Sequence, residues 1–213
     1  LRTNINDCSI VPISMGSNIL CQGVFTLMDD IIKYLPSPEN RTIAGVTLKT
    51  NEVFEANYDF AKAKSAKVWK RIVDPFIGKY SLIKVCSGVL KGDDMIYNHD
   101  KDVEEKLGKI YVLQGNKPIE VSELHAGDIG AIAKLTAART GDSLSTKANT
   151  IQYGRAALPV PYTYKRYKVV NKGDVDKVSQ ALQKMMHEDQ TIKAVNDAEN
   201  RQMLIYGMGD QHL

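Results

Sequence analysis

Residues 74–94, DPFIGKYSLIKVCSGVLKGDD, constrain the fold of this chain more than any other stretch. The Asp-Pro and Gly-Lys pairs within residues 74–79 are typical of a turn, and residues 80–85 then alternate as a strand. Ser87-Gly88 predicts a break or bulge, because glycine adopts a positive φ without a Cβ clash. Residues 91–94, Lys-Gly-Asp-Asp, predict a second tight turn before the next strand. This order of strand, bulge, strand and turn is typical of a small closed barrel.

The rest of residues 65–144 also reads as β-structure. Apolar and polar residues alternate over 107–113, and residues 130–134 predict another strand. Residues 116–120 and 124–129 are predicted turns. Gly-Asp recurs at 92–93, 127–128 and 141–142. We interpret these pairs as turns and not as metal ligands, and short strands between such turns are typical of a barrel.

Before the barrel, residues 9–14 form a short apolar run that predicts a buried strand. Residues 15–18 predict a loop, and residues 23–35 have apolar side chains at helical spacing before Pro36. A strand, a Gly-Ser loop and an amphipathic helix are typical of the last βα unit of an α/β domain. Residues 41–64 are poorly periodic and read as a linker or insertion, with one or two weak strands around residues 42–48.

After the barrel, residues 160–170 are predicted to be extended. Asp174 is a candidate N-cap for a helix whose apolar residues fall on one face. Residues 191–206 predict a hairpin, and residues 207–210 predict a turn that opens another helix. The order β-α-β-β is the front of a ferredoxin-like domain, whose last helix and strand we expect beyond Leu213.

The chain is therefore predicted to be multidomain, mainly β plus α+β. The predicted parts are residues 1–40 (the end of an α/β domain), 41–64 (linker or insertion), 65–148 (β-barrel) and 149–213 (a truncated ferredoxin-like βαββ domain). Since the sequence does not begin with Met, we expect it to be a piece of a longer protein. No apolar run approaches the roughly 20 residues of a membrane span, and the N-terminus does not resemble a signal peptide.

The charge and the cysteines bear on nucleic-acid binding, disulfides and metal sites. The net charge of +3 is weak evidence for nucleic acid, although residues 143–173 carry six basic residues and no acidic one. That stretch is either a solvated, lysine-guarded strand edge or a phosphate-facing patch. The three cysteines have no CxxC spacing, so free thiols in a reducing cytoplasm fit better than disulfides or zinc. The four histidines likewise lack metal-ligand spacing, and we expect no metal site.

Catalytic motifs are missing from the sequence. It contains no GxxxxGK[ST], GxGxxG, HExxH or GxSxG, and we name no catalytic residue.

Three stretches together carry a family resemblance. They are IVPISMGSN with GVFTLMDDIIKYLPSP within residues 10–38, WKRIVDPFIGKYSLIKVCSGVLKGDDMIYN at residues 69–98 with HAGDIGAI and TGDSL further on, and ALQKMMHEDQTIK with LIYGMGDQHL within residues 181–213. In this order they resemble the end of the P-loop GTPase domain, the barrel and the third domain of translation elongation factor G. The family is a multidomain GTPase that binds the ribosome and drives translocation of tRNA and mRNA.

The resemblance implies GTP and Mg²⁺ as cofactors of the whole protein, and ribosomal RNA and ribosomal proteins as its partners. In the family, a Ser-Ala pair after the last GTPase strand helps to hold guanine. That position falls on Ser17 and Asn18, with Asn18 in place of Ala. The phosphate-binding loop and the switches would precede Leu1, so we expect no GTP hydrolysis by this piece alone. We expect a monomer, without a membrane partner, in the cytoplasm.

The barrel of such factors lies on small-subunit ribosomal RNA, which implies recognition of backbone and shape. Lys79 and Lys91 lie in turns of the central hairpin and are the candidate phosphate contacts, with solvated turn lysines as the alternative. Departures in the third domain, such as Asp210-Gln211 for Glu-Leu, favour a divergent paralogue. The alternatives are a ribosome-protection or release-type GTPase, a non-catalytic RNA-binding module, and a structural piece without a ligand.

Overall fold

The computed structural model describes residues 1–74, 78–115 and 117–213. These residues form two units, Leu1–Thr42 and Ile43–Leu213. Strands far outnumber helices, which confirms the predicted mainly β and α+β class. None of the helices in the described ranges has the length and apolar character needed to cross a membrane.

The N-terminal unit contains two α-helices, α1 (Arg2–Asn6) and α2 (Val24–Tyr34), and a 3-10 helix at Pro38–Asn40. Helix α2 confirms the helix predicted over residues 23–35. It ends where Leu35 turns extended at ψ 144°, because a residue before proline is pushed out of the helical region.

The buried strand predicted over residues 9–14 is wrong. These residues form no strand, and the Val11 and Ile13 side chains are 77% and 87% exposed. An extended segment becomes a strand only when a neighbour pairs with its backbone groups, and no described strand pairs with this one.

The second unit contains the strands and one long helix, α3 (Val175–Glu188). In chain order the strands are β1 Ile43–Thr47, β2 Glu52–Ala56, β3 Ser65–Asp74, β4 Gly78–Ser87, β5 Val89–Lys91, β6 Met95–Asn98, β7 Val103–Lys106, β8 Ile110–Gln114, β9 Lys117–Val121, β10 Glu123–His125, β11 Ile129–Ala133, β12 Ser143–Ser145, β13 Ile151–Tyr153, β14 Thr163–Tyr167, β15 Lys193–Asp197 and β16 Gln202–Gly207.

The barrel is an antiparallel sheet of order β7-β6-β12-β3-β4-β11-β8-β9, with β5 and β10 as a further pair. One apolar core collects buried side chains from both ends of this order, such as Ile96 of β6 and Ile110 of β8. The sheet therefore curls around that core. Each fully buried Leu, Ile or Val there stabilises the fold by about 1.5–3 kcal/mol relative to its exposure.

The central hairpin of the barrel is β3 and β4, paired from Ser65–Ser87 to Asp74–Gly78. The predicted turn between them falls largely on residues 75–77, which lie outside the described residues. The predicted break is confirmed at Gly88, which separates β4 from β5 with φ +70°. A Cβ on Gly88 would lie 2.7 Å from the Lys62 carbonyl oxygen, so only glycine fits without a shift of the backbone.

Two of the predicted barrel turns need correction. Residues 117–121 form strand β9 instead of a turn, whereas Asn116 lies outside the described residues. Strand β9 is at the edge of the sheet, where Pro118 can lack an N–H without breaking a ladder. Residues 123–125 form β10, which pairs with β5. The turn predicted over residues 124–129 is therefore shorter and begins only after residue 125.

A small side sheet of order β13-β1-β2 packs its own apolar cluster. The cluster joins Ala56, Ile151 and Tyr153 to Cys86 of the barrel strand β4. Strands β1 and β2 lie in the segment predicted as linker or insertion; β1 falls where weak strands are predicted, around residues 42–48, and β2 lies beyond them. The boundaries predicted after residues 40, 64 and 148 stay predictions.

The C-terminal part has the predicted order β14, α3, β15, β16, with the strands arranged β14-β16-β15. The hairpin predicted over residues 191–206 is confirmed as β15 and β16. Asp174 stands at the N-cap of α3, but its carboxylate makes no capping bond and instead accepts a hydrogen bond from Lys177 at 2.9 Å. The turn predicted over residues 207–210 lies at residues 210–212, and the helix expected beyond Leu213 stays a prediction.

Candidate nucleic-acid interface

Two lysines face each other on the outer side of the central hairpin. Lys67 of β3 is the direct cross-strand partner of Lys84 of β4, and Lys84 is in turn opposite Ile129 of β11. Residues directly opposite in an antiparallel pair share one face of the sheet, where like charges repel. This row of side chains therefore carries an electrostatic cost unless an anion is nearby.

The bulge in β3 places a tryptophan beside these lysines. The register passes from Val68–Ile83 to Lys70–Leu82, so Trp69 is the extra residue without a partner on β4. Bulges redirect side chains and are frequent next to binding sites. The Trp69 side chain is 46% exposed, which is unusual for so large an apolar group.

These residues line a groove of about 590 Å³, called the Trp69 groove below. Its lining residues are Ile43, Lys67, Val68, Trp69, Lys84, Cys86, Ile129, Thr140, Gly141, Arg155, Ala156, Leu158 and Gln190. Its volume falls in the range of clefts that bind small molecules, about 300–1,000 Å³. Among its lining residues there are three cations and no carboxylate, so the groove favours an anionic ligand with an apolar face.

Arg155 is held at the rim of the groove by two carboxylates. Its Nη2 lies 2.8 Å from Asp142 Oδ1 and 3.0 Å from Asp100 Oδ1. The buried Asp142 carboxylate also accepts hydrogen bonds from Asn98 Nδ2 and the Arg139 backbone N–H, both at 2.9 Å. Arg155 is thus positioned but already neutralised, and the two lysines carry the uncompensated charge.

Cys86, which lines the groove, adjoins a buried polar cluster outside the lining. Burial raises the pKa of the Cys86 thiol to about 11, so it stays protonated at neutral pH and is a poor nucleophile. Burial also raises the pKa of Tyr153, whose hydroxyl lies 2.6 Å from Ser65 Oγ. Ser87 Oγ bonds Ser65 Oγ and donates to the Ala63 carbonyl at 2.6 Å. The hydroxyl groups of the cluster are therefore hydrogen-bonded to one another, and the Cys86 thiol is not activated.

The structure places the two predicted phosphate contacts apart. Lys79 is exposed at the start of β4, and Lys91 lies beyond its far end, where Nζ is 3.2 Å from Glu123 Oε2. The eight-residue step from Lys79 to Ser87 alone spans about 26 Å, so the two lysines do not share one patch. Neither belongs to the groove lining, and their contact with RNA stays a prediction.

The predicted guanine-contact loop is closed on itself. Ser17 and Gln22 exchange two backbone hydrogen bonds of 3.0 and 3.1 Å, and Ser17 Oγ accepts one from the Leu20 N–H at 3.3 Å. Asn18 lines a cavity of only about 110 Å³, below the size of ordinary ligand pockets. Guanine contact by Ser17 and Asn18 stays a prediction.

The basic stretch 143–173 is dispersed in the structure. Arg155 alone among its basic residues lines the groove, and Lys165 lies 3.3 Å from Asp210 in the C-terminal part. Sequence reasoning missed Trp69, Lys67 and Lys84. The only available signal was a lysine-rich strand with a single tryptophan, because their juxtaposition depends on strand register and a bulge.

Cysteines and metal ligands offer no other site in the described residues. Cys8, Cys21 and Cys86 are free thiols. No cluster of histidine, cysteine and carboxylate side chains suited to a metal ion occurs within residues 1–74, 78–115 and 117–213.

The barrel and the C-terminal part are joined through α3. Its Glu188 Oε1 accepts the Val73 N–H at the open edge of β3 at 2.8 Å, and Gln190 Nε2 donates to the Thr140 carbonyl at 2.8 Å. His187 Nδ1 lies 3.1 Å from Arg139 Nη1. Burial, followed by nearby cations, lowers the pKa of His187, so its imidazole is neutral and accepts the arginine N–H. These contacts fix the third part against the barrel.

Comparison with known proteins identifies both parts. The family model for elongation factor G domain 2 matches residues 63–147, and the model for elongation factor G domain III matches residues 158–213. A crystal structure of a Thermus thermophilus protein matches with TM-score 0.70 and 26% identity, over 89% of this chain and 26% of that one. The chain thus spans about a quarter of the length of that relative. Two adjoining domains of one factor, in its order, show that the chain belongs to the elongation factor G-like proteins of translation.

Proposed function

We propose that the chain is the docking part of a ribosome-binding, elongation factor G-like GTPase that promotes translocation of tRNA and mRNA in the cytoplasm. The supporting observation is that two domains of one factor, the barrel and the third domain, follow each other in this chain and are hydrogen-bonded to each other through α3 and β3. A rigid pair of domains can transmit movement from one binding surface to the other. In this proposal the chain acts as a monomer and carries out no chemical step.

GTP and Mg²⁺ would be cofactors of the whole protein. The residues of this chain do not by themselves suit them, because the Ser17–Asn18 loop borders a cavity of only about 110 Å³ and its serine hydroxyl is already bonded to Leu20. P-loop GTPases also hold the phosphates of GTP on a lysine-bearing loop, and this sequence lacks that motif. In this proposal the chain contributes contact with the ribosome.

The direct test uses the full-length protein with purified ribosomes. Ribosome-dependent GTP turnover and movement of mRNA by one codon are expected together. Turnover without movement would instead favour a ribosome-protection or release-type factor. Failure of the protein to cosediment with ribosomes in any nucleotide state would overturn the proposal.

A further inference from the structure

We propose that the Trp69 groove binds single-stranded RNA, with a base stacked on Trp69 and phosphates at Lys67 and Lys84. The inference rests on the proposed function, since it names the RNA-binding surface of a ribosome-bound factor. The groove is separate from Lys79 and Lys91, which do not line it and whose contact with RNA stays a prediction.

The charge of the groove is the first argument. Some other lysines of the barrel face carboxylates, as in Lys64–Asp94 at 2.7 Å, Lys106–Asp93 at 3.0 Å and Lys109–Glu120 at 2.7 Å. Lys67 and Lys84 oppose each other instead, and neither has a carboxylate within 4.0 Å among the described residues. Lys67 Nζ is anchored by the Gly154 carbonyl, which fixes the ammonium at the groove. A phosphate between the two would relieve their repulsion.

The apolar surface is the second argument. Trp69, Ile129 and Leu158 are 46%, 55% and 51% exposed within the same groove. A cation row alone would suit any anion, but exposed aromatic and aliphatic surface beside it suits a ligand with a flat face. Nucleobases stack on aromatic side chains in a sequence-tolerant way.

The concave shape selects single strands over duplexes. In an A-form duplex the base faces are stacked inside and the deep major groove admits no side chain. A single strand can turn a base out into the groove while its backbone follows the lysines. We therefore expect weak sequence preference and a clear preference for unpaired RNA.

The sequence contains one tryptophan, so its fluorescence reports on the groove directly. Titration of the 213-residue chain with a short oligouridylate at low salt is expected to quench Trp69 fluorescence to saturation. A duplex of equal length and a polyglutamate peptide serve as competitors that separate RNA from an acidic protein. Equal effects of the peptide or the duplex would overturn the proposal, and so would unchanged fluorescence.

Variants locate the binding through the anisotropy of labelled oligouridylate. Trp69→Ala is expected to weaken binding about 5- to 150-fold, whereas Trp69→Phe keeps an aromatic face and most of the affinity. Lys67→Ala with Lys84→Ala is expected to flatten the slope of log K against log [salt] by about 1.4, or about 0.7 for each lost phosphate contact. The double arginine variant retains charge and controls for folding, and Lys117→Ala on edge strand β9 is the matched control. Wild-type affinity in Trp69→Ala would overturn the proposal.

Cosedimentation with ribosomes separates this inference from the proposed function. Weaker ribosome binding by the Trp69→Ala variant supports both. If the wild-type chain binds oligouridylate but not ribosomes, the proposed function fails and the groove stands. If the groove variants match the wild type on both ribosomes and oligouridylate, the groove inference fails alone.

Discussion

The N-terminal unit and the barrel both have regular apolar patterns, but only the barrel buries them. In the barrel, Ile83, Val85 and Leu90 are fully buried, whereas Phe25 and Ile32 on α2 are 79% and 76% exposed. Local periodicity sets the conformation of a helix through its own backbone hydrogen bonds. Burial instead depends on a second surface, and the barrel supplies that surface from its own strands.

The largest test of this difference is a matched pair of substitutions. Ile83→Ala removes a fully buried side chain from the barrel core and is expected to cost about 2–5 kcal/mol of unfolding free energy. Ile32→Ala makes the same chemical change on the exposed face of α2 and is expected to stay within about 0.5 kcal/mol. Urea unfolding followed by circular dichroism measures both. Equal losses would mean that the α2 face is covered in solution.

Sequence reasoning succeeded where structure is determined locally. Helix α2 follows from apolar spacing and Pro36, and the break at Gly88 follows from a residue that tolerates positive φ. It failed for residues 9–14 and for strand β9, because a strand exists only through its neighbours. The same limit hid the Trp69 groove, since the Lys67–Lys84 pairing appears only once the register is known.

Gly88 tests whether the barrel depends on the break in its central hairpin. Gly88→Ala forces a Cβ to within 2.7 Å of the Lys62 carbonyl oxygen at φ +70°, and the strain from φ alone costs about 1–3 kcal/mol. Gly115→Ala is the matched control, because Gly115 has φ +58° but, among the described residues other than its chain neighbours, no atom within 4 Å of its Cβ position. The difference between their denaturation midpoints isolates the clash. Identical midpoints would show that the chain near Lys62 yields freely.

The buried Cys86 thiol makes the stability of the barrel depend on pH. Its pKa is raised to about 11 from 9.0, chiefly by burial, so the folded state favours the neutral thiol. The contribution of the neutral thiol to the free energy of unfolding is fully present below pH 9. As the pH rises through about 11, the free energy of unfolding falls by roughly 2 kcal/mol. Unfolding free energies at about pH 8 and about pH 11 should therefore diverge more for the wild type than for Cys86→Ala.

Thiol alkylation compares the exposed cysteines of the N-terminal unit with the buried Cys86 of the barrel. The exposed Cys8 and Cys21 are expected to react in the folded chain, and Cys86 only after denaturant is added. Rapid labelling of Cys86 in the folded chain would contradict its burial. In the pH experiment, an equal loss of unfolding free energy in the wild type and in Cys86→Ala would contradict the raised pKa of this thiol.

The smallest expected effect concerns Glu188, whose carboxylate accepts a hydrogen bond from the edge of β3. Glu188 Oε1 accepts the Val73 N–H at 2.8 Å, so Glu188→Ala leaves that N–H unbonded and is expected to cost about 1 kcal/mol. Glu188→Gln retains an amide oxygen at the same place and should recover most of that loss. Amide hydrogen exchange at Val73 reads the bond directly, and faster exchange is expected in the alanine variant alone. Equal exchange in both variants would mean that packing of α3, and not this hydrogen bond, protects the strand edge. The docking of the third part on the barrel would then depend on apolar contact, as the barrel core itself does.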